Sequence, residues 1–413
     1  MKALYIFWIF LKLGCTSFGG PVAHLAYFRQ VFVEQRQWFS ESEYAHLLSI
    51  CQLIPGPASS QVGFAIGLLR GGWLGAILAF IAFTLPSVVL LLLFANSLHL
   101  LDSTIGQGSL QGLAILAFVV VLQAVLGMGK QLLTSSFSWV LASAVFALVL
   151  LTDNVLWQVI SIVFCALVSA LVTKPISTNP LADSNMFLSS HMHLPSGKSA
   201  LIAGALFVML IVLFVTNSPY LNQFSYLYAS SFFLSGATVF GGGHVVLPFL
   251  EQTTVAQGLI TKDLFLAGYG ATQAVPGPMF SFAAYLGYII DINQQVAAGS
   301  ATIDLSIAIK SAFLALLFLF LPGFLLVSAV LPVSQKLFTY PKVKQAFAGA
   351  NAAVIGLLAA TLYDPIFTHA ISSKIDVVIA AVGFVVLTRL KVPVLALVCL
   401  CVLLKVLEAL IVG

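Results

Sequence analysis

Charge is scarce in this chain of 413 residues. Asp, Glu, Lys and Arg together make up 7% of it, as 17 basic and 13 acidic residues. Soluble domains carry about 25%. That scarcity excludes a soluble enzyme, a disordered chain and a nucleic-acid binder, and it leaves the net charge of +4 with little to say about partners. Cysteine is sparse too. Cys15, Cys51, Cys165, Cys399 and Cys401 lie in apolar stretches. Their odd number argues against a disulfide framework and none has metal-ligand spacing, so they read as buried, reduced thiols and no metal site is expected. There is no Gly-x-x-x-x-Gly-Lys-Ser/Thr loop to hold ATP, no HExxH and no evident intramembrane protease motif, so neither a catalytic constellation nor a cofactor is expected. Met1-Lys2 and the run to Leu13-Gly14-Cys15 faintly resemble a lipoprotein signal, but Lys12 interrupts the apolar core of such a signal. The N-terminus therefore reads as part of the first membrane segment.

What the chain has in excess is apolar sequence. Hydrophobic residues make up 61%, and mean hydropathy is +1.09. The fold class is an all-α polytopic membrane protein, since the apolar runs are continuous and lack the alternation of a barrel. About thirteen hydrophobic segments follow one another: 3–18, 44–69, 72–98, 108–129, 136–152, 155–173, 199–217, 225–240, 262–290, 304–331, 343–363, 375–388 and 391–411. The polar stretch 174–198 reads as a loop between halves.

The halves repeat. Phe18-Gly19-Gly20 answers Phe240-Gly241-Gly242 at an offset of 222 residues. Gln52-Leu53-Ile54-Pro55-Gly56-Pro57 answers Gln273-Ala274-Val275-Pro276-Gly277-Pro278 at 221, and Leu85-Pro86 answers Leu321-Pro322 at 236. The expected organisation is a first repeat over 1–173, a linker with one connecting helix over 174–224, and a second repeat over 225–413. One odd connecting segment inverts the second repeat. With the N-terminus cytoplasmic, Arg70, Lys130, Lys174, Lys198, Lys336, Lys342, Lys344, Arg389 and Lys391 fall inside. Asp102, Asp153, Asp291, Asp304, Asp364 and Asp376 fall outside, which obeys the positive-inside rule. The C-terminus would then lie outside. Arg29 and Arg36 conflict with this if every segment spans. The conflict disappears if 3–35 and 44–69 are re-entrant hairpins with tips at Phe18-Gly19-Gly20-Pro21 and Pro55-Gly56-Pro57. Nine spans with four hairpins is the preferred arrangement, and thirteen full spans the alternative.

Pro-Gly-Pro inside an apolar segment breaks a helix and frees backbone groups that cannot face lipid. The helices restarting after Pro57 (Ser59, Ser60, Gln61) and Pro278 (Phe280, Ser281), with the breaks at Gly19, Gly20 and Gly241, Gly242, would bring four helix N-termini together. Each carries about half a positive charge and favours anions. Pro55, Gly56, Pro57, Pro276, Gly277 and Pro278 would frame such a site, with Gln52, Ser59, Ser60, Gln61, Gln273 and Ser281 as hydrogen-bonding groups. The bland reading is a set of kinks that serve packing, against which the repetition weighs. Lys12 is either an electrostatic anchor or a snorkelling lysine. His24 and His244 titrate near physiological pH and can carry a coupling proton or donate to an anion, whereas His46 has no counterpart. Arg29 and Arg36 are candidates for the cytoplasmic mouth, and Glu251 and Glu34 are candidate proton carriers or interfacial carboxylates. Trp38 and Tyr44 read as interfacial anchors.

These motifs carry a resemblance. Phe18-Gly19-Gly20-Pro21 with His24, Arg36 with Trp38, Cys51 to Pro57 with Gln61, and Gly72 with Gly75 resemble the chromate ion transporter family. Phe240-Gly241-Gly242-Gly243-His244 and Gln273 with Pro276-Gly277-Pro278 resemble its second repeat. The likeness covers nearly the whole chain and is to the long, two-domain type. It implies a secondary transporter of the bacterial inner membrane that exports chromate, with protons as coupling ion, sulfate as a close analogue, and alternating access between inverted repeats. Its partners would be the oxyanion, protons and membrane lipid, with a homodimer as the assembly considered. The rival readings are uptake of sulfate or another oxyanion, and a passive anion channel. The second half departs from the first, with Gly243 for Pro21, Leu234 for Lys12, and no counterpart of Arg36. An asymmetric site, with most positive charge from the first half, is therefore expected.

Overall fold

The computed structural model describes residues 3–18, 20–97, 103–152, 155–173, 193–216, 223–239, 243–299, 302–334, 340–390 and 392–412. Gly19, Gly241 and Gly242 lie outside these residues. Every regular element among the described residues is helical, as required where no water is present to satisfy backbone groups. The first half comprises α1 (Ala3–Thr16), α2 (Gly20–Arg29), α3 (Glu41–Leu53), α4 (Ala58–Asn96), α5 (Thr104–Leu132), α6 (Ser136–Leu151) and α7 (Val155–Val172). Helix α8 (Gly197–Val215) connects to α9 (Gln223–Thr238), α10 (Val246–Leu250), α11 (Lys262–Ala274), α12 (Phe282–Ala297), α13 (Leu305–Val330), α14 (Pro341–Thr361), α15 (Lys374–Thr388) and α16 (Val394–Val412). Among the described residues, six helical stretches are long and apolar enough to cross a membrane: Ala58–Asn96, Thr104–Leu132, Gly197–Val215, Leu305–Val333, Pro341–Ala370 and Val394–Ile411. Serine caps start several helices. Ser40 and Ser373 form capping boxes with Glu43 and Asp376, which fixes where the chain turns inward.

Contacts between distant residues sort the helix ends into two groups. At one end, near the start of α1, Arg36 contacts the Tyr5 hydroxyl and stacks 5.2 Å from the Tyr5 ring centroid and 5.9 Å from that of Trp38. Arg70 lies 5.4 Å from the same Trp38 ring. The start of α1, the end of the π-helical turn Gln30–Gln35 that follows α2, the start of α3 and residue 70 of α4 thus meet at one end. Helix α1 with α2, and α3 with residues 58–71, are therefore hairpins that enter and leave together. The chain turns again at Gly72, where α4 folds back on itself. At the opposite end, Asp263 pairs with His369 at 2.7 Å, and Tyr288 meets Asn96 at 3.3 Å. There too, Lys405 bridges Asp376 and Glu408 at 2.7 and 2.6 Å. Between the two ends the chain passes through 73–96, α5, α6, α7, α8, α13, α14, α15 and α16.

Packing recurs between the halves. A Cβ on Gly14 of α1 would sit 2.6 Å from the Phe83 carbonyl of α4, and one on Gly236 of α9 would strike the Leu319 carbonyl of α13. These are counterparts at offsets 222 and 236. Both carbonyls lie just before an internal proline, Pro86 or Pro322. Helix α5 packs on α15 and α16 of the second half, and α14 packs on α6 and α7 of the first, so the halves are laced together rather than side by side. Two expectations change. Cys15 and Cys399 are exposed, and only Cys51, Cys165 and Cys401 are buried. Tyr44 is no interfacial anchor, since it is buried and donates to the Leu25 carbonyl at 2.7 Å.

Close approach at Gly14 and Gly236 has a measurable consequence. Gly14→Ala and Gly236→Ala should each destabilise the fold by about 1–3 kcal/mol through overpacking. Gly127, which has open space around its α-carbon, is the control, and Gly127→Ala should leave the thermal unfolding midpoint in detergent unchanged or raised. Equal midpoints for all three variants would refute the packing account.

Candidate functional site

The four hairpins point their tips at one another, and the tips are cross-linked in pairs. The Gly56 N–H of the first Pro-Gly-Pro break donates to the Val239 carbonyl at the end of the second half's first hairpin, at 2.7 Å. The Gly277 N–H of the second break donates to the Ser17 carbonyl, at the tip of the first half's first hairpin, at 2.9 Å. Donors and acceptors correspond at offsets of 221 and 222, so each half's broken helix is tied to the other half's first hairpin. Gly56 and Gly277 have φ of +130° and +101°, a region that side chains rarely adopt. The flanking prolines hold the chain extended and forbid helical continuation.

Gly56 and Gly277 were expected to frame the site, and their own amides serve the fold. The Gly56 and Gly277 N–H groups are taken. So is the Gln61 amide, whose Nε2 donates to the Pro55 carbonyl at 2.8 Å and the Gly323 carbonyl at 3.2 Å. Ser281 Oγ donates to the Pro278 carbonyl at 2.5 Å, because the second break leads first into the tight turn Met279–Ser281 rather than straight into an α-helix. What remains is a set of buried polar atoms with no partner among the described residues: Ser17 Oγ, His24 Nδ1, Ser60 Oγ, Gln61 Oε1, Thr84 Oγ1 and Gln273 Nε2 flank the breaks, and Gln158 Oε1 lies apart. Buried polar atoms usually have partners, and six of these seven gather near the breaks. Ser59 is also buried there. Residues 58–60 supply the unpaired N-terminal amides of the long first-half helix.

The two histidines are not equivalent. His24 is fully buried, and its Nε2 lies 3.1 Å from the Ser17 carbonyl, so that nitrogen carries the hydrogen. Neutral His24 therefore presents a bare Nδ1 lone pair, and only the protonated ring presents a second N–H. His244 contacts the Tyr269 hydroxyl through Nδ1. The remaining candidates scatter. Lys12 is exposed on the face of α1 that also carries Tyr5, Trp8, Cys15 and Thr16, without an acidic partner among the described residues. Arg29 is bound by Glu34 at 2.5 Å and by Glu41 through Nε at 3.0 Å. The Glu41 carboxylate, helped by Glu34, holds this guanidinium above its usual range. Arg36 and Arg70 face aromatic rings instead. Gln52 is exposed, Gln273 half-buried, and Pro276 and Pro278 buried. Glu251 begins the π-helical turn Glu251–Val255, the counterpart of Gln30–Gln35. His46 reaches Ser334 at 3.3 Å. An apolar groove of about 510 Å³ between residues 73–96 and α13 is lined by Phe64, Trp73, Phe80 and Phe324. Thr84 and Ser328 are the polar residues of its otherwise aromatic and aliphatic lining.

Sequence reasoning missed Ser17, Thr84 and Gly323. Ser17 and Val239 stand just before the matched Phe-Gly-Gly motifs, and Gly323 follows the matched Leu-Pro. Their positions were signalled, but the atoms that pair were not.

The chain matches the chromate transporter family over residues 4–172 and again over 227–406. It is 27% identical over 359 residues to a probable chromate transport protein of Synechococcus elongatus, covering 85% of this chain and 81% of that one. It is 24% identical over 380 residues to a chromate transport protein of Pseudomonas aeruginosa, covering 86% and 79%. A chromate transport protein of Cupriavidus metallidurans is 25% identical over 361 residues, covering 84% and 79%. No solved structure matches the chain.

The two classes of polar residue at the tips predict opposite stability effects. Gln61→Leu strips the Pro55 and Gly323 carbonyls of their donor and should cost about 1–3 kcal/mol. Ser60→Ala removes an atom that has no internal partner and should leave the unfolding midpoint near that of the parent. The comparison is read from thermal unfolding in detergent. A Ser60→Ala variant as unstable as Gln61→Leu would show that Ser60 is a structural residue.

Proposed function

Because this chain belongs to the chromate transporter family, we propose that it is a secondary transporter that exports chromate from the bacterial cytoplasm across the inner membrane. The reading further holds that export is driven by the proton motive force and proceeds by alternating access. One observation carries it: unpartnered polar atoms gather at crossed hairpin tips inside an otherwise apolar helical protein. A tetrahedral dianion needs donors on several sides. Ser17, Ser60, Gln273 and the amides of residues 58–60 offer neutral ones, supported by a helix N-terminus. His24 adds a proton-dependent member. Its neutral ring turns a lone pair toward any guest, and uptake of one proton converts that lone pair into an N–H donor. This gives proton coupling a chemical basis.

The end bearing Arg29, Arg36 and Arg70 is the cytoplasmic one in this reading, by the positive-inside rule. The contacts that recur at near-constant offset support a first repeat over 1–173, a linker over 174–224 and an inverted second repeat over 225–413. Sulfate shares chromate's charge and tetrahedral shape, so it should compete at the same site.

Everted membrane vesicles holding the protein should accumulate chromate. An uncoupler should abolish the accumulation and excess sulfate should reduce it. Ser60→Ala and Gln273→Leu should slow transport while the protein stays folded, and replacing Pro55 or Gly56 with a helix former should abolish it. Entry that only equilibrates with the medium, without accumulation, would indicate a passive channel, and accumulation that survives an uncoupler would remove the proton motive force as the driver. No accumulation by folded protein would remove chromate export from the reading.

A further inference from the structure

The inverted halves are not in the same state. In α11, the positions facing away from its own hairpin are covered: Leu266 is fully buried, Gly270 is buried, and Gln273 is half-buried. The cover is α5, whose Leu113 carbonyl would lie 2.5 Å from a Cβ on Gly270. Leu113, Leu116 and Val120 of α5 share a core with Ala267. The counterparts in α3, at an offset of 221, are Ala45, Ser49 and Gln52, and all three are exposed, as is Ser42 one turn before them. The counterpart of α5 is α14. Leu110-Gln111-Gly112 answers Phe347-Ala348-Gly349, and Gly112 packs on the Cys401 carbonyl of α16 as Gly349 packs on the Cys165 carbonyl of α7. Helix α14 nevertheless leans on α10 and the turn Gly243–Val245, with no comparable packing on α3 among the described residues. Both α5 and α14 thus close against second-half hairpins.

The uncovered face is polar. Ser42, Ser49 and Gln52 recur with helical spacing from the Arg36 end down to the Pro55-Gly56-Pro57 break. The Ser49 hydroxyl donates back to the Ala45 carbonyl at 2.8 Å and Ser42 meets Ser40 at 3.1 Å, so the exposed Gln52 beside the break is the member least suited to hydrocarbon and best suited to water.

We propose that this face of α3 lines the water-filled route by which the anion reaches the tips, and that α14 closes the route by settling Ala350 over Ser49, as Leu113 now sits over Gly270. The inference rests on the transport reading above, and it names the helix that moves and the contact that ends the movement. Ser49 and Ala350 occupy similar depths, since each lies several turns into a helix that starts at the Arg36 end. Ala350 carries a methyl where α5 has Leu113, which leaves room for the Ser49 hydroxyl.

The test uses the full chain in membranes with the exposed Cys15 and Cys399 replaced by serine. Ala45→Cys, Ser49→Cys and Gln52→Cys should each react with a charged, membrane-impermeant thiol reagent supplied at the Arg36 end. Leu266→Cys should not react from either side. The double variant Ser49→Cys with Ala350→Cys should form a disulfide when copper phenanthroline with oxygen, which takes up the two electrons, is added to energised vesicles supplied with sulfate, and the cross-link should arrest transport. Reaction of the α3 cysteines only with a lipid-soluble maleimide would overturn the route. Labelling without any cross-link, with or without sulfate, would overturn the closure. These readouts do not need chromate. A chain that labels and cross-links as described but accumulates no chromate would keep the route and lose the proposed cargo.

Discussion

Two hydrogen bonds, Gly56 to Val239 and Gly277 to Ser17, hold the centre of this molecule together. Pro-Gly-Pro in an apolar helix frees N–H and carbonyl groups, and each group left unpaired in a medium without water costs several kcal/mol. A chain that breaks four hairpins at the same depth creates that problem four times. Here the breaks solve it for one another, because the donor of each Pro-Gly-Pro is given the acceptor of the opposite half's first hairpin. Neither half can satisfy its own break, so the halves have to assemble for either hairpin to be stable. The lacing of α5 onto α16 and α14 onto α7 follows the same exchange on a larger scale.

Once the tips are locked, the neighbouring glycines and prolines acquire a common purpose. Gly14 and Gly236 bring the first hairpins of each half hard against Phe83 and Leu319, one turn before Pro86 and Pro322. Pro86 and Pro322 lack the amide N–H that would pair with the Ala82 and Phe318 carbonyls beside them, and a glycine α-carbon is the group that fits closely over this stretch. The crossed tips are thus clamped between two interrupted helices. That frame is rigid enough to keep Ser17, His24, Ser60 and Gln273 buried without partners of their own.

Much of this was legible in the sequence. Continuous apolar runs give helices, the charge of the loops gives the hairpins, and the matched Phe-Gly-Gly, Pro-Gly-Pro and Leu-Pro motifs give the repeat. Arg29 and Arg36 gave away the hairpins because basic residues on the wrong side are a costly anomaly. What could not be read was which backbone groups pair. Gly56 and Val239 are 183 positions apart in the chain, and no local rule connects them. For that reason the expectation placed the Gln61 amide and the Ser281 hydroxyl at an anion when both donate to carbonyls of the fold. The difference between His24 and His244 was hidden for the same reason, since each ring is defined by a partner, the Ser17 carbonyl or the Tyr269 hydroxyl, brought from elsewhere. The exposure of Ser49 against the burial of Gly270 was equally invisible, because a repeat predicts equivalence, and only a particular conformation breaks it.

The sparseness of cations at the tips follows from what a carrier has to do. Buried lysines or arginines would bind a dianion tightly, and their own desolvation would leave them costly once the guest departed. A ring of hydroxyls, amides and helix N-termini supplies attraction in fractions of a charge, enough to replace water around the anion without trapping it. Such donors also tolerate an empty site, since an unpartnered hydroxyl costs far less than an unpaired ammonium. Most full charges sit instead toward the two ends, Arg29 with two carboxylates at the Arg36 end and Lys405 with Asp376 and Glu408 at the other. A site of this kind cannot release its guest by changing its own charge unless one member titrates. His24 is the member of the set whose hydrogen-bonding sense reverses with a proton, and it is tied through Ser17 to the same carbonyl that holds Gly277. In the proposed transport reading, a proton taken up at His24 would act on the guest and, through the shared Ser17 carbonyl, on the lock between the halves at once.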